Sequence, residues 1–315
     1  MAVKKLGMVM DPITAINTKK DTSFALLLEA QRRGFELYYI QQKDLSIDNG
    51  EPLATSQTIS VTDHATNYYS VISEQEINLG TLDVIMMRKD PPFDSEFLYA
   101  THILELAERR GALVVNKPQA LRDFNEKLFT SLYPEFIPDT LVTTQKSAFR
   151  AFHNKHKDII CKPLDGMGGT NIFRVSEDGN NLGVISEVLT ANGSVHAMVQ
   201  RYMPEIKQGD KRILLIDGEV IPYCLARLPA ANETRGNLAA GGSGQAQEVS
   251  EQDMAVAQAI AKDMPSRGII IVGLDMIGNK VTEINITSPT CVREIEAAYP
   301  VNICGKIFDA IEKRL

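Results

Sequence analysis

No C-x-x-C pair, no H-E-x-x-H motif and no long apolar run occurs in this chain of 315 residues, and each absence removes a class of function. The four cysteines, Cys161, Cys224, Cys291 and Cys304, stand far apart. They signal neither a zinc knuckle nor a redox dithiol, so free buried thiols are expected. Of the five histidines only His153 and His156 are close in sequence; they lie in a polar stretch that reads as a solvated helix face. Without an apolar run of about 18 residues there is no candidate membrane helix. Nothing near the N-terminus joins a basic start to an apolar segment and a small-residue cleavage site, so a soluble cytoplasmic protein is expected. Positive charge is also in deficit, with 33 Lys and Arg against 40 Asp and Glu and a net charge of −7. That balance argues against a nucleic-acid binder held by phosphate neutralisation, and any basic site must be local. Both common nucleotide signatures are missing too. The first strand-like run is followed by DPITAIN rather than G-x-G-x-x-G, and G-x-x-x-x-G-K-[ST] occurs nowhere.

What is present has the length of two or three modules sharing a core. The first ~120 residues alternate strand-like and helix-like runs, the sign of βαβ units on a parallel sheet. KLGMVMD reads as a buried strand, DTSFALLLEAQRRG as a helix with Asp21 or Thr22 at its N-cap and Gly34 at C′, and FELYYI as the next strand. The polar passage from Gln41 to about Gly80 carries no pattern beyond one short strand. LDVIMMR, the helix SEFLYATHILELAERRG and ALVVN follow, the last ending in a KP turn. Ligands of such sheets gather at the carboxyl ends of strands, here Asp11 to Asn17, Arg88 to Asp90 and Asn116 to Pro118. A smaller unit from about Ile137 to Tyr202 has strand candidates TLVTT, IICKPL, NIFRVS and HAMVQRY. The remainder holds a hairpin turning at Asp217-Gly218, a Gly- and Ala-rich loop, a helix near residues 251–264, a second hairpin and a closing helix.

Three constellations carry chemistry. In CKPLDGMGGTNIF a strand delivers Lys162 to its end, and Gly166, Gly168 and Gly169 let backbone N–H groups approach an anion; an ordinary hairpin turn is the plain alternative. In MVQRYMP the backbone of Gln200 to Met203 can meet a purine edge while Tyr202 and Met203 cover its face, although a Met in an apolar run is more often core. GLDMIGNKVTEINITSPT places Glu283 and Asn285 on one strand face. A two-residue turn in regular register pairs Asp275 with Thr282 and points it away, whereas a three-residue loop or a bulge pairs it with Glu283. The same-face arrangement is expected: it assembles two carboxylates and an amide, hard oxygen donors suited to Mg²⁺, the alternative being a solvated sheet face. Lys127, Lys162, Arg212, Arg227 and Arg235 stand near turns and strand ends in otherwise acidic surroundings, as an anionic substrate pocket requires. Residues 228–244, LPAANETRGNLAAGGSG, have the composition of a mobile loop able to close over a site.

Together these residues resemble the ATP-grasp superfamily, and within it the prokaryotic glutathione synthetase family. The resemblance runs the length of the chain through MVMDPI, MRKDPPFD, VNKPQALRDFNEKLF, KPLDGMGG, GDKRILLIDGE, ETRGNLAAGG and GLDMIG…TEINITSPT. It implies an α/β and α+β architecture: an ATP-grasp fold with a Rossmann-like pre-ATP-grasp domain at residues 1–122, a central lid at 123–202 and a C-terminal metal-binding domain at 203–315. It implies that Lys127 and Lys162 bind ATP phosphates under the Gly166–Gly169 loop, that Gln200, Tyr202 and Met203 form the adenine hinge, and that Asp210 meets the ribose. Asp275, Glu283 and Asn285 would hold two Mg²⁺ ions, with Mn²⁺ as a substitute. Arg212, Arg227 and Arg235 would serve catalysis, and Arg88, Arg227, Arg235 and Ser288 would contact substrate. The implied reaction joins γ-glutamylcysteine to glycine with ATP cleavage, in a cytoplasmic homotetramer without nucleic-acid or membrane partners. The shared core motifs leave a different ATP-grasp carboxylate–amine ligase open as the alternative, because substrate choice lies in the N-terminal domain and loops.

Overall fold

The structure is a computed structural model that describes residues 3–231, 233, 235–236 and 241–315. Part of the loop expected to close over the site, including residues 237–240, lies outside the described residues. The chain opens with β1 (Lys5–Met10), five of whose six residues are buried, as a central parallel strand covered on both faces requires. Helix α1 (Thr22–Arg32) starts where the Asp21 carboxylate accepts the Phe24 N–H at 2.7 Å, and Gly34 follows it at φ +84°, both as expected. β2 (Glu36–Ile40) then pairs parallel to β1.

The passage from Gln41 to Gly80 overturns the expectation of little structure. It forms β3 (Leu45–Asp48), β4 (Glu51–Val61) and β5 (Tyr69–Asn78), an antiparallel extension of the sheet. Its period was hidden because the inward face of β4 carries hydroxyls, with Ser56 and Thr58 buried, while β5 is exposed along most of its length. β6 (Val84–Arg88), α2 (Ser95–Arg109) and β7 (Leu113–Val115) complete a sheet of order β3-β4-β2-β1-β6-β7 with β5 beside β4. Pro118 does not simply turn the chain; it is the first residue of the short helix α3 (Pro118–Asp123).

The second sheet is antiparallel, of order β10-β9-β11-β8, from β8 (Thr140–Thr143), β9 (Ile159–Pro163), β10 (Phe173–Val175) and β11 (Ala197–Arg201). Helices α4 (Lys146–His156) and α5 (Leu182–Leu189) cover it, and Phe149, Ile159, Cys161, Ile185 and Val199 form its own apolar cluster. His153 is not solvated as expected: it is buried, with Nε2 2.8 Å from the Ser176 carbonyl oxygen. The third sheet, β14-β13-β12-β15-β16, uses β12 (Asp210–Ile216), β13 (Glu219–Leu228), β14 (Ser243–Glu248), β15 (Ile271–Ile277) and β16 (Lys280–Asn285). It packs with α6 (Glu251–Ala261), α7 (Val292–Ala298) and α8 (Ile303–Glu312).

The first and third sheets share their cores. One cluster joins Leu6, Met8 and Phe24 to Leu214, Ile307 and Phe308; another joins Val9, Ile85 and Phe97 to Ile260, Leu274 and Ile284. Asn116 stitches the two sheets. Its Nδ2 donates to the carbonyls of Ile271 at 2.8 Å and Ile286 at 2.7 Å, and its Oδ1 accepts from the N–H groups of Ile270 and Ile271. The residue at that strand end therefore holds protein rather than ligand. All four cysteines are free and buried. Among the described residues no helix is long and apolar enough to cross a membrane.

Candidate functional site

A row of charged side chains crosses the third sheet. β12 brings Arg212 opposite Asp275 of β15, and β15 brings Asp275 opposite Glu283 of β16. Regular pairing beyond the two-residue Gly278-Asn279 turn would set Asp275 against Thr282. A bulge between Asp275 and Met276 shifts the register, so the two carboxylates stand opposite each other as expected. Asn285 pairs with Gly273, whose missing side chain is what the place demands: a Cβ there would sit 2.8 Å from Pro289 Cβ and 2.9 Å from Arg212 Cδ. Asn285 Nδ2 donates to the Gly273 carbonyl at 3.0 Å, which leaves Oδ1 as the atom offered outward.

Asp275 is 2 % exposed and ion-paired on both oxygens, to Arg212 Nε at 2.5 Å and to Arg227 Nη2 at 2.8 Å. Burial alone would raise its pKa, but the two guanidiniums together hold the carboxyl well below the usual carboxylate range. Asp210, paired with the same Arg227 and with Oδ1 buried and unpartnered, goes the other way: burial pushes its pKa up against the pull of Arg227. Lys162 reaches in from β9 and Lys127 from the segment after α3, 3.8 Å and 3.5 Å from Glu283 Oε1. Burial lowers the Lys162 pKa, and Glu283 opposes that shift.

The glycine loop lies over these cations. Lys127 Nζ donates to the Gly166 carbonyl at 2.7 Å and Arg235 Nη1 to the Gly169 carbonyl at 3.0 Å, while Gly168 and Gly169 adopt φ of +62° and +81°, which favour glycine. Asp275, Glu283, Asn285, Arg212 and Arg227 line one cavity of about 510 Å³ with Gly166, Gly168 and Ser288. An adjoining slit runs between the second and third sheets, walled by Ile160, Ile172, Met203 and Ile277, with Gln200, Tyr202, Asp210 and Arg235 on its border. The Gln200 amide is turned to Thr140 Oγ1 at 3.0 Å, and the Arg174 guanidinium lies 3.8 Å over the Tyr202 ring. Apolar walls on both sides suit a flat ring system.

Arg88 stands apart from both cavities' linings. It is buried, donating to Ser23 Oγ at 3.1 Å and to the Pro289 carbonyl at 2.9 Å, with Nη1 unpartnered. Ser288 Oγ donates to Asp90 at 2.6 Å. Sequence reasoning missed Glu126, on the wall of the large cavity, where it accepts from Thr287. Its one signal was adjacency to Lys127.

Among the described residues no three His, Cys, Asp or Glu side chains gather at metal-binding spacing. The donor set on the wall, two carboxylates and an amide oxygen, nevertheless fits Mg²⁺, which takes one or two carboxylates and completes its shell with water and phosphate oxygens.

The family model described as "Prokaryotic glutathione synthetase, N-terminal domain" matches residues 5–122, and "Prokaryotic glutathione synthetase, ATP-grasp domain" matches residues 126–300. Relatives named glutathione synthetase are similar along the whole chain. That of Photorhabdus laumondii is 59% identical over 312 residues, covering 99% of each chain. That of Vibrio parahaemolyticus is 57% identical over 311 residues, covering 99% of this chain and 98% of its own. Among solved structures, the ATP-grasp ligase PsnB complexed with minimal precursor, Mg and ADP superimposes with a TM-score of 0.61 at 19% identity, over 98% of this chain and 97% of that one, a likeness of fold.

Proposed function

The chain belongs to the prokaryotic glutathione synthetase family, and from that membership we propose that it joins γ-glutamylcysteine to glycine, cleaving ATP to ADP and phosphate. The observation that carries the reading is the convergence of Asp275, Glu283 and Asn285 on one cavity with Arg212 and Arg227, beneath the glycine loop and beside Lys127 and Lys162. It is the arrangement needed to hold three anionic or zwitterionic substrates and to balance charge during phosphoryl transfer.

A carboxylate is a poor acyl donor. In the proposed sequence the cysteinyl carboxylate oxygen attacks the γ-phosphorus of ATP, the bond to the bridging oxygen breaks, and ADP leaves from an acylphosphate. The amine of glycine then adds to the acyl carbon, loses a proton, and phosphate departs as the amide forms. No protein nucleophile is required; positioning supplies the catalysis. Lys127 and Lys162 take the phosphates, and the Gly166–Gly169 loop covers them with backbone N–H groups. The slit bordered by Gln200, Tyr202 and Met203 takes the adenine, with Asp210 toward the ribose. Asp275, Glu283 and Asn285 hold Mg²⁺, two ions with Mn²⁺ able to substitute; Arg212 and Arg227 keep Asp275 in the ionised form that a metal ligand requires. When bound, the metal neutralises charge on phosphate oxygens. Arg212 faces the transferring phosphoryl group, and Arg227, Arg235 and Ser288 face the peptide. Arg88 contributes to the substrate side through the Pro289 carbonyl it holds. An acylphosphate hydrolyses, so closure by residues 228–244 has the purpose of excluding water.

The reading includes three domains, 1–122, 123–202 and 203–315, in a cytoplasmic homotetramer, which light scattering tests directly. The decisive assay is ADP release with Mg-ATP, γ-glutamylcysteine and glycine, leaving each out in turn. Release that needs both the dipeptide and glycine, with a tripeptide product, is expected. If the dipeptide leaves ATP untouched while another carboxylate stimulates its cleavage, the named substrate is wrong.

A further inference from the structure

Glu126 lies between Lys127 and the segment that carries Asn285, and it grips that segment on both sides. Its main-chain carbonyl accepts the Ile284 N–H at 2.9 Å. Its Oε1 accepts the N–H groups of Ile286 at 2.9 Å and Thr287 at 3.0 Å, and the Thr287 hydroxyl at 2.8 Å. Three donors converge on one carboxylate oxygen and form a clamp. β16 ends at Asn285, so the two N–H groups immediately beyond it have no sheet partner of their own. Without Glu126 both would be left unpaired, beside the cavity that Thr287 lines. Asn285 is held at its other side too, through Nδ2 on the Gly273 carbonyl.

We infer that Glu126 is a positioning residue of the site: by clamping residues 284–287 it aims Asn285 Oδ1 into the cavity and couples that oxygen to Lys127, its own neighbour in sequence. The inference rests on the proposed metal role of Asn285. Glu126 meets the segment that carries Asn285 rather than standing in the strand row of Asp275 and Glu283. It acts through the chain it holds. The acceptor that makes the clamp is Oε1, which takes all three of these donors.

The test compares Glu126→Ala and Glu126→Gln in the full chain. Direct binding of Mn²⁺, titrated by electron paramagnetic resonance with a non-hydrolysable ATP analogue present, is expected to weaken roughly 10-fold or more in Glu126→Ala, in the range of lost supporting hydrogen bonds to metal ligands. In steady state kcat falls and the Mg²⁺ requirement rises. Glu126→Gln keeps a carbonyl acceptor and recovers most of the lost affinity. Wild-type Mn²⁺ affinity in Glu126→Ala overturns the inference, as does a folded Glu126→Gln as impaired as the alanine variant. Should Glu126→Ala not fold, Thr287→Val, which removes one of the three donors, decides: about 3-fold weaker Mn²⁺ binding supports the clamp, and unchanged binding overturns it. The Mn²⁺ titration involves neither γ-glutamylcysteine nor glycine. Failure of the proposed substrates would therefore leave this result standing, and the reverse.

Discussion

At the residue scale, the question is how a sheet interior tolerates Asp275 and Glu283 opposite each other. Coulomb repulsion between adjacent carboxylates raises one pKa unless cations intervene, and here Arg212 and Arg227 take Asp275 while Lys127 and Lys162 flank Glu283. The charges are distributed unequally. Asp275 is sealed and doubly ion-paired, whereas the Glu283 side chain keeps 21% exposure and holds its lysines at 3.5 and 3.8 Å, beyond good hydrogen-bond distance. Glu283 is thus the more open of the two proposed metal carboxylates, while Asp275 is kept ionised by its two guanidiniums. Glu283→Gln is expected to lower turnover by roughly two orders of magnitude or more, with the loss deepest at limiting Mg²⁺. Initial rates across a Mg²⁺ series check this. Near-wild-type turnover at limiting Mg²⁺ would remove Glu283 from the metal site.

At the scale of elements, the stitch between β7 and β15 is the most exacting. Asn116 meets two carbonyls and two N–H groups, and a side-chain amide, with two N–H donors and an oxygen of two lone pairs, matches all four. Asn116→Ala removes four hydrogen bonds to main-chain groups of buried residues. It is expected to cost about 2–4 kcal/mol, read as a lowered urea midpoint, with Asn116→Asp no better because a carboxylate faces the Ile271 and Ile286 carbonyls. An unchanged midpoint in the alanine variant would show the stitch to be dispensable. The sequence could not announce this contact, since it joins positions about 155 and 170 residues apart. What it did announce were elements with local signals: the Asp21 cap, the βαβ alternation, the four strands of the second sheet and the Asp217-Gly218 hairpin. That Asp275 faces Glu283 was legible for a chemical reason, though not whether a bulge or a longer loop brings it about. Only one register put the carboxylates together, and the residue types favoured that register over the regular turn. β4 and β5 escaped because buried serine and threonine do not mark an inward face, and Glu126 because a lone acid beside a lysine has no pattern.

At the scale of the molecule, the three sheets are not equally bound to one another. The first and third share two apolar clusters, so they move as one body, while the second sheet with α4 and α5 packs around a cluster of its own. Its ties to the rest in this region are polar and few. Asn125 reaches the Leu164 carbonyl, Lys127 the Gly166 carbonyl, Arg235 the Gly169 carbonyl, and Lys162 Nζ lies 3.4 Å from the Thr282 carbonyl. Three of those four cations or amides belong to the proposed phosphate and substrate contacts, so a nucleotide would compete for the very groups that now bridge the two bodies. A lid joined by exchangeable hydrogen bonds has a low free energy of opening, and a ligand that engages both sides shifts it toward closure by its differential affinity. Hydrogen exchange should therefore slow on adding Mg²⁺ and a non-hydrolysable ATP analogue over residues 159–175 and 197–203. Amides of β1, β2 and β6, inside the shared core, should stay unchanged. Equal protection in both regions would mean that the nucleotide stabilises the whole fold by mass action alone. No change over residues 159–175 would mean that the second sheet is already locked against the third, and that the polar bridges seen here are permanent parts of the fold.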